Sequence, residues 1–136
     1  MINFKGKKIL ITGATGGIGK ALVKKFLSLD GTILATGTNT EKLDSLKKEF
    51  PSINVLKFDI SDHSKIEDFI ENVTSQLVGL DVLVNNAGIT LDNLSLRMKD
   101  EEWKKVIDIN LSSTFYLCKH AIKKMLKKKY GRIVNI

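Results

Sequence analysis

The sequence predicts an α/β fold built on a doubly wound parallel sheet, and three observations predict it. Short β-rich apolar runs alternate with longer helical stretches, with turn residues between them, in a βαβ rhythm. The short runs are apolar on consecutive residues, as parallel strands covered on both faces are. Between the first of them, Ile9-Leu10-Ile11, and the first amphipathic stretch lies a glycine-rich segment, Thr12-Gly13-Ala14-Thr15-Gly16-Gly17-Ile18-Gly19.

Taken in order, Lys7 to Thr12 reads as a first strand and Gly19 to Leu29 as a helix, and after the Asp30-Gly31 turn Thr32 to Thr36 reads as a second strand. A second helix covers Thr40 to Phe50 and is closed by Pro51, and a third strand covers Asn54 to Phe58. Ser61 is placed to cap a third helix, in which Ile66, Phe69, Ile70, Val73 and Leu77 recur at helical spacing. Asp81 to Asn85 is the fourth strand. After Gly88 a polar connection leads to a long helical stretch, Asp100 to Lys128, whose Trp103, Val106, Ile107, Leu111, Phe115, Leu117 and Met125 are expected mostly in the core. Gly131 is expected to end it and Arg132 to Ile136 to begin a fifth strand. Right-handed crossovers then order the sheet 3-2-1-4-5, a Rossmann-like arrangement truncated in the fifth strand, with a nucleotide at the carboxyl ends of strands one and four. Residues 1–136 therefore read as one NAD(P)-binding domain, incomplete at its C-terminus. Its severed strand would leave unpaired backbone groups and favour marginal stability or self-association.

Composition narrows the class. With 43% hydrophobic and 27% charged residues the chain is that of a globular protein, and no apolar stretch approaches the roughly 18 residues that span a bilayer. No secretory signal pattern precedes the first strand, and Cys118 is the sole cysteine, so the sequence reads as cytoplasmic. Cys118 is expected as a small buried hydrophobe. His63 and His120 have no partner at metal-ligand spacing, so no metal site is expected. The net charge of +7 is concentrated near the C-terminus, in Lys119, Lys123, Lys124, Lys127, Lys128, Lys129 and Arg132. These cations complement a helix C-terminus, and an acidic protein is a better partner for them than nucleic acid, since Tyr130 is the only interleaved aromatic.

The glycine segment points to a nucleotide. Gly13 suits the tight turn out of the strand, Gly17 lets backbone approach a pyrophosphate, and Gly19 allows the helix to pack closely on the sheet. With Thr15, Gly16 and Ile18, these residues form a loop that leads into a helix N-terminus, whose free N–H groups and positive dipole end favour an anion. About 20 residues on, where an acidic residue would accept bonds from a free ribose 2′-hydroxyl, the sequence has Thr36-Gly37-Thr38-Asn39-Thr40. A 2′-phosphate would meet hydroxyls and amides there, from Thr15, Thr38, Asn39 and Lys42, rather than a carboxylate. NADP is favoured over NAD.

Four signals follow in order: the glycine loop, Asp59-Ile60, Asn85-Asn86-Ala87-Gly88, and Asn110-Leu111 in the long helix. This arrangement resembles the short-chain dehydrogenase/reductase family over essentially the whole chain. The run from Asn85 to Leu111, with Gly88-Ile89-Thr90, Asp92-Asn93-Leu94 and Met98 to Trp103, looks most similar to the bacterial 3-oxoacyl-[acyl-carrier-protein] reductases of fatty acid biosynthesis. The resemblance implies that Asp59 accepts a bond from the adenine amino group, that Ile60 packs on the ring, and that Asn86, Ala87 and Gly88 line the cofactor ribose. Asp59 as a turn cap and Asn86 as a tie between strands are the plainer alternatives. Asn110 corresponds to one position of the family's catalytic tetrad, where it holds a relay water by locally disturbing the helix. The family's Ser and Tyr-x-x-x-Lys have no counterpart here: Tyr116 is followed four positions later by His120, and Tyr130 by Val134.

The resemblance thus implies the N-terminal, cofactor-binding part of an NADPH-dependent reductase, inactive or nearly so as this chain. Acyl carrier protein is the implied partner, with Lys127, Lys128, Lys129 and Arg132 as its docking residues, and the intact family is homo-oligomeric. The alternatives are another reductase of the same superfamily with a different substrate, and a non-catalytic dinucleotide-binding or interaction module.

Overall fold

The computed structural model describes residues 2–136. Its strands are β1 (Lys8–Ile11), β2 (Thr32–Gly37), β3 (Asn54–Lys57), β4 (Val82–Asn85) and β5 (Arg132–Asn135), all parallel, in the order 3-2-1-4-5. Period-two side-chain alternation explains why the central strands are apolar throughout. Leu10, Leu34 and Leu83 face one helical layer, α3 (Ile66–Leu77) and α5 (Ser113–Lys128). Ile9, Ile11, Ile33, Ala35, Val82 and Val84 face the other, α1 (Gly17–Leu27) and α2 (Thr40–Glu49). Each layer thus closes its own core on one face of the sheet.

The predicted elements are all present, with shifts at their ends. The first helix starts at Gly17, two residues before the expected Gly19, because the glycine loop itself turns into it. Ser61 caps no helix: its hydroxyl and N–H both donate to Asp59 Oδ1, at 2.7 and 2.9 Å, and a short 3-10 turn, His63–Lys65, leads into α3. Beside that turn, Lys65 and the Ser64 hydroxyl bind the Asp62 carboxylate and hold its pKa below the usual range.

The long helix is not continuous. It divides into α4 (Asp100–Ile107), a π-helical turn over Asp108–Ser112, and α5. α5 packs on α3 and β4 through one inward stripe, Ser113, Leu117, Ala121 and Met125. Trp103, Leu111 and Phe115, expected in the core, are each about 60% exposed on the outer side. α5 ends at Lys128 with Lys129 in the left-handed region, at φ 54°, so Gly131 is not its terminator. Gly131 is required for a different reason, because a Cβ there would run into Met125. Cys118 is half-buried, with the Asn85 side-chain amide donating to its sulfur at 3.3 Å.

Candidate functional site

The carboxyl ends of β1, β2, β3 and β4 surround a cleft of about 450 Å³. Backbone geometry fixes its floor. Ala14 N–H donates to Thr36 O, which ties the loop after β1 to β2. On the other side Thr12 Oγ1 accepts the N–H groups of Asn86 and Ala87, both at 3.0 Å, and the Asn86 side-chain amide donates to the carbonyls of Thr12 and Gly13, both at 3.1 Å. The glycine loop is therefore stitched to the ends of both neighbouring strands.

The glycines differ in what they permit. Gly13 has φ of 59°, a left-handed conformation, and a Cβ on it would sit 2.7 Å from Ala87 Cα. A Cβ on Gly19 would strike the Gly13 carbonyl oxygen and lie 2.7 Å from Ala14 Cα, so close seating of α1 requires glycine. Gly17 is the opposite case: nothing lies within 4 Å of where its Cβ would be. Gly16 is the N-cap and no side chain caps the helix, whose first turn also carries no acidic residue. The unpaired N–H groups of α1, at Gly17, Ile18 and Gly19, are thus available to an anion, and Ile18 is 60% exposed.

Of the sequence-predicted residues, Gly13, Thr15, Thr38, Asp59, Ile60, Ala87 and Gly88 line the cleft directly. Gly16, Gly17, Ile18, Gly19 and Asn86 are not part of its lining, and Asn86 makes the strand tie. Asp59 makes the turn bonds to Ser61, the plainer of its two sequence readings, and it also lines the cleft. Asn39 is engaged as the cap of α2, accepting Lys42 N–H at 2.9 Å, while the Lys42 side chain borders a smaller recess beside Thr15. The carboxylate in that recess, Glu49, is paired with Lys20 at 2.5 Å.

Asn110 sits in the π turn and does not face open solvent unused. Its Oδ1 accepts Ile89 N–H at 2.8 Å and its Nδ2 donates to Ile89 O at 2.9 Å, a two-point clamp on the backbone of one residue. A Cβ on Gly88 would be 3.1 Å from that Oδ1. π turns commonly mark functional positions, and here one aims a side chain at the cleft loop. Cleft-lining Thr36, Phe58, Ile89, Lys105 and Ile109 were not anticipated from the sequence, nor was Thr12 as the hydrogen-bonding hub. A Thr at the end of the first strand was the available signal for Thr12; Lys105 and Ile109 depend on where the helix register falls after a loop.

The basic residues lie elsewhere. Lys127, Lys128, Lys129 and Arg132 cluster where α5 ends and β5 begins, at the opposite end of the sheet from the cleft. Lys128 is paired with Asp81 at 3.2 Å, and Arg132 lies over the Tyr130 ring at 5.0 Å. Among the described residues no three His, Cys, Asp or Glu converge as metal ligands, and no helix is long and apolar enough to cross a membrane.

A parallel 3-2-1-4-5 sheet with a glycine loop entering an uncapped helix at its carboxyl edge defines a dinucleotide-binding α/β protein of Rossmann type. The family model for short chain dehydrogenases matches residues 7–136, and the chain belongs to that family. It is 44% identical over 136 residues to the 3-oxoacyl-[acyl-carrier-protein] reductase FabG of Rickettsia typhi, covering 100% of this chain and 55% of the relative. The enzyme of the same name from Escherichia coli K12 is 39% identical over 136 residues, with 99% and 56% covered. The chain spans about half the length of these curated relatives. Among solved structures it matches a putative gluconate dehydrogenase from Agrobacterium tumefaciens with a TM-score of 0.93 and 31% identity, over 98% of this chain and 54% of that one.

Proposed function

We propose that this chain is the N-terminal, cofactor-binding part of an NADPH-dependent 3-oxoacyl-[acyl-carrier-protein] reductase of fatty acid biosynthesis. The observation that carries the reading is the uncapped N-terminus of α1, opened by Gly17, which follows directly on cleft-lining Gly13 and Thr15 at the ends of the parallel strands. The pyrophosphate lies on the N–H groups of Gly17, Ile18 and Gly19, beside Gly16. Asp59 and Ile60 hold the adenine. Ala87 and Gly88 admit the nicotinamide ribose, and Asn86 holds their loop in place. When bound, the cofactor supplies a hydride for the keto carbon.

On the adenosine ribose, Thr15, Thr38 and Lys42 offer hydroxyls and a cation where NAD-selective sites offer a carboxylate, which supports NADP. Comparison of the NADPH and NADH dissociation constants tests this choice. Tighter NADPH binding is expected, and tighter NADH binding would overturn it. NADPH oxidation with a 3-oxoacyl-carrier substrate is expected to stay near background, since the chain has no Tyr-x-x-x-Lys to supply a positioned acid. Asn110 is the one member of the family's catalytic tetrad assigned to this chain.

Two partners belong to the same proposal. Acidic acyl carrier protein docks on Lys127, Lys128, Lys129 and Arg132; leaving carrier-dependent behaviour unchanged after charge reversal at Lys127 and Lys129 would count against it. A second copy associates through the outer face of the long helix, where Trp103, Leu111, Phe115 and Leu126 form an exposed apolar stripe. The resemblance to a gluconate dehydrogenase structure favours one alternative, a family reductase acting on a different small substrate.

A further inference from the structure

One hydrogen-bonded link joins the two sides of the cleft and belongs to neither the glycine loop nor the Asn110 clamp. His63 stands in the 3-10 turn that continues the Asp59–Ser61 loop, and its Nε2 lies 2.9 Å from Ser113 Oγ, at the start of α5. Ser113 is fully buried, and its hydroxyl donates to Asp108 O at 3.1 Å, the same carbonyl that accepts the Ser113 N–H across the π turn. The His63–Ser113 bond takes its direction from the imidazole tautomer, and in either direction it ties the ring to the start of α5. Asp108 Oδ1 is 3.8 Å from Nδ1, and the Tyr116 ring packs 4.9 Å from the imidazole. Ser, His and Asp are the residue types of a hydrolytic triad, but a fully buried Ser113 hydroxyl has no access to substrate.

We propose that His63 is a positioning residue: through Ser113 it fixes the π turn, and so the Asn110 clamp on Ile89, to the loop that carries Asp59 and Ile60. The adenine side and the Gly88–Ile89 side of the cleft then hold one geometry. The functional meaning of this link rests on the dinucleotide reading of the cleft, but the link itself is testable without ligand. Solvent exchange of the Ile89 amide, read by NMR, reports the clamp.

In His63→Ala and in Ser113→Ala, exchange at Ile89 is expected to rise about fivefold, the factor of one ordinary hydrogen bond, and the double variant is expected to rise no further. His63→Gln, which keeps a hydrogen-bonding amide for Ser113, is expected to restore the wild-type rate. Titration with NADPH should show affinity falling by a similar factor in the two alanine variants only. An unchanged Ile89 rate in His63→Ala overturns the proposal, as does a rise shared by the amides of the central strands, or a Gln variant that behaves like Ala. If wild-type protein fails to bind NADPH while the exchange pattern holds, the positioning role stands and the dinucleotide reading fails.

Discussion

Gly13, Gly17 and Gly19 answer to three different constraints, and substitution separates them. Gly19→Ala forces a methyl into the Gly13 carbonyl and Ala14, which should lower stability by about 1–3 kcal/mol in urea unfolding, the scale of overpacking. Gly17→Ala meets nothing and should leave the unfolding midpoint unchanged or slightly raised, while weakening NADPH binding by about tenfold, the loss of roughly one charge-assisted hydrogen bond. A Gly17→Ala protein that binds NADPH normally would refute the pyrophosphate assignment. The placing of these glycines was legible in the sequence because a left-handed turn and a close helix approach leave few residue types to choose from. Asn39 was not: its side chain serves the N-cap of α2, a local demand that competes with any ligand.

At the scale of elements, the βαβ alternation was readable because each central strand is apolar on both faces, whereas the break in the long helix was signalled only by the family resemblance at Asn110, where the π turn falls. Nothing in the apolar spacing from Trp103 to Met125 marks a π turn or shows that Trp103, Leu111 and Phe115 are exposed rather than in the core. α5 is held to α3 partly by exposed ion pairs, Glu67 with Lys123 at 2.9 Å and Glu71 with Lys124. The Lys123 hydrogen bond, with its charge, holds the Glu67 pKa below the usual carboxylate value. A lowered folded-state pKa means that this contribution is complete above the unfolded value and is lost as the pH falls through the folded one. Glu67→Gln should therefore flatten the fall in unfolding midpoint between about pH 5 and 3, with little change in slope near neutrality. An unaltered acid limb would remove Glu67 from the account.

For the whole molecule, the apolar side chains outside the two cores include the stripe of the long helix and, beside β5, Val134 and Ile136. Concentration-dependent association is the expected result in sedimentation, and Phe115→Glu should reduce it by placing a charge in the stripe. A wild-type protein that stays monomeric at all concentrations would contradict the stripe as a contact. The fold was legible down to strand order, since handedness and short connections leave few topologies for this pattern. Of the cleft lining, Gly13, Thr15, Thr38, Asp59, Ile60, Ala87 and Gly88 were legible in the sequence, and Lys105 and Ile109, where helix register decides, were not. The cleft is assigned to a nicotinamide dinucleotide lying along the ends of β1, β2, β3 and β4. That assignment is tested most directly by mapping NADPH-induced amide shifts onto the assigned NMR spectrum. Saturable shifts concentrated at Gly16 to Gly19, Thr38, Asp59 to Ile60 and Asn86 to Ile89 are the predicted result; a folded protein whose cleft resonances do not move, or whose shifts gather at Lys127 to Arg132 instead, would contradict it.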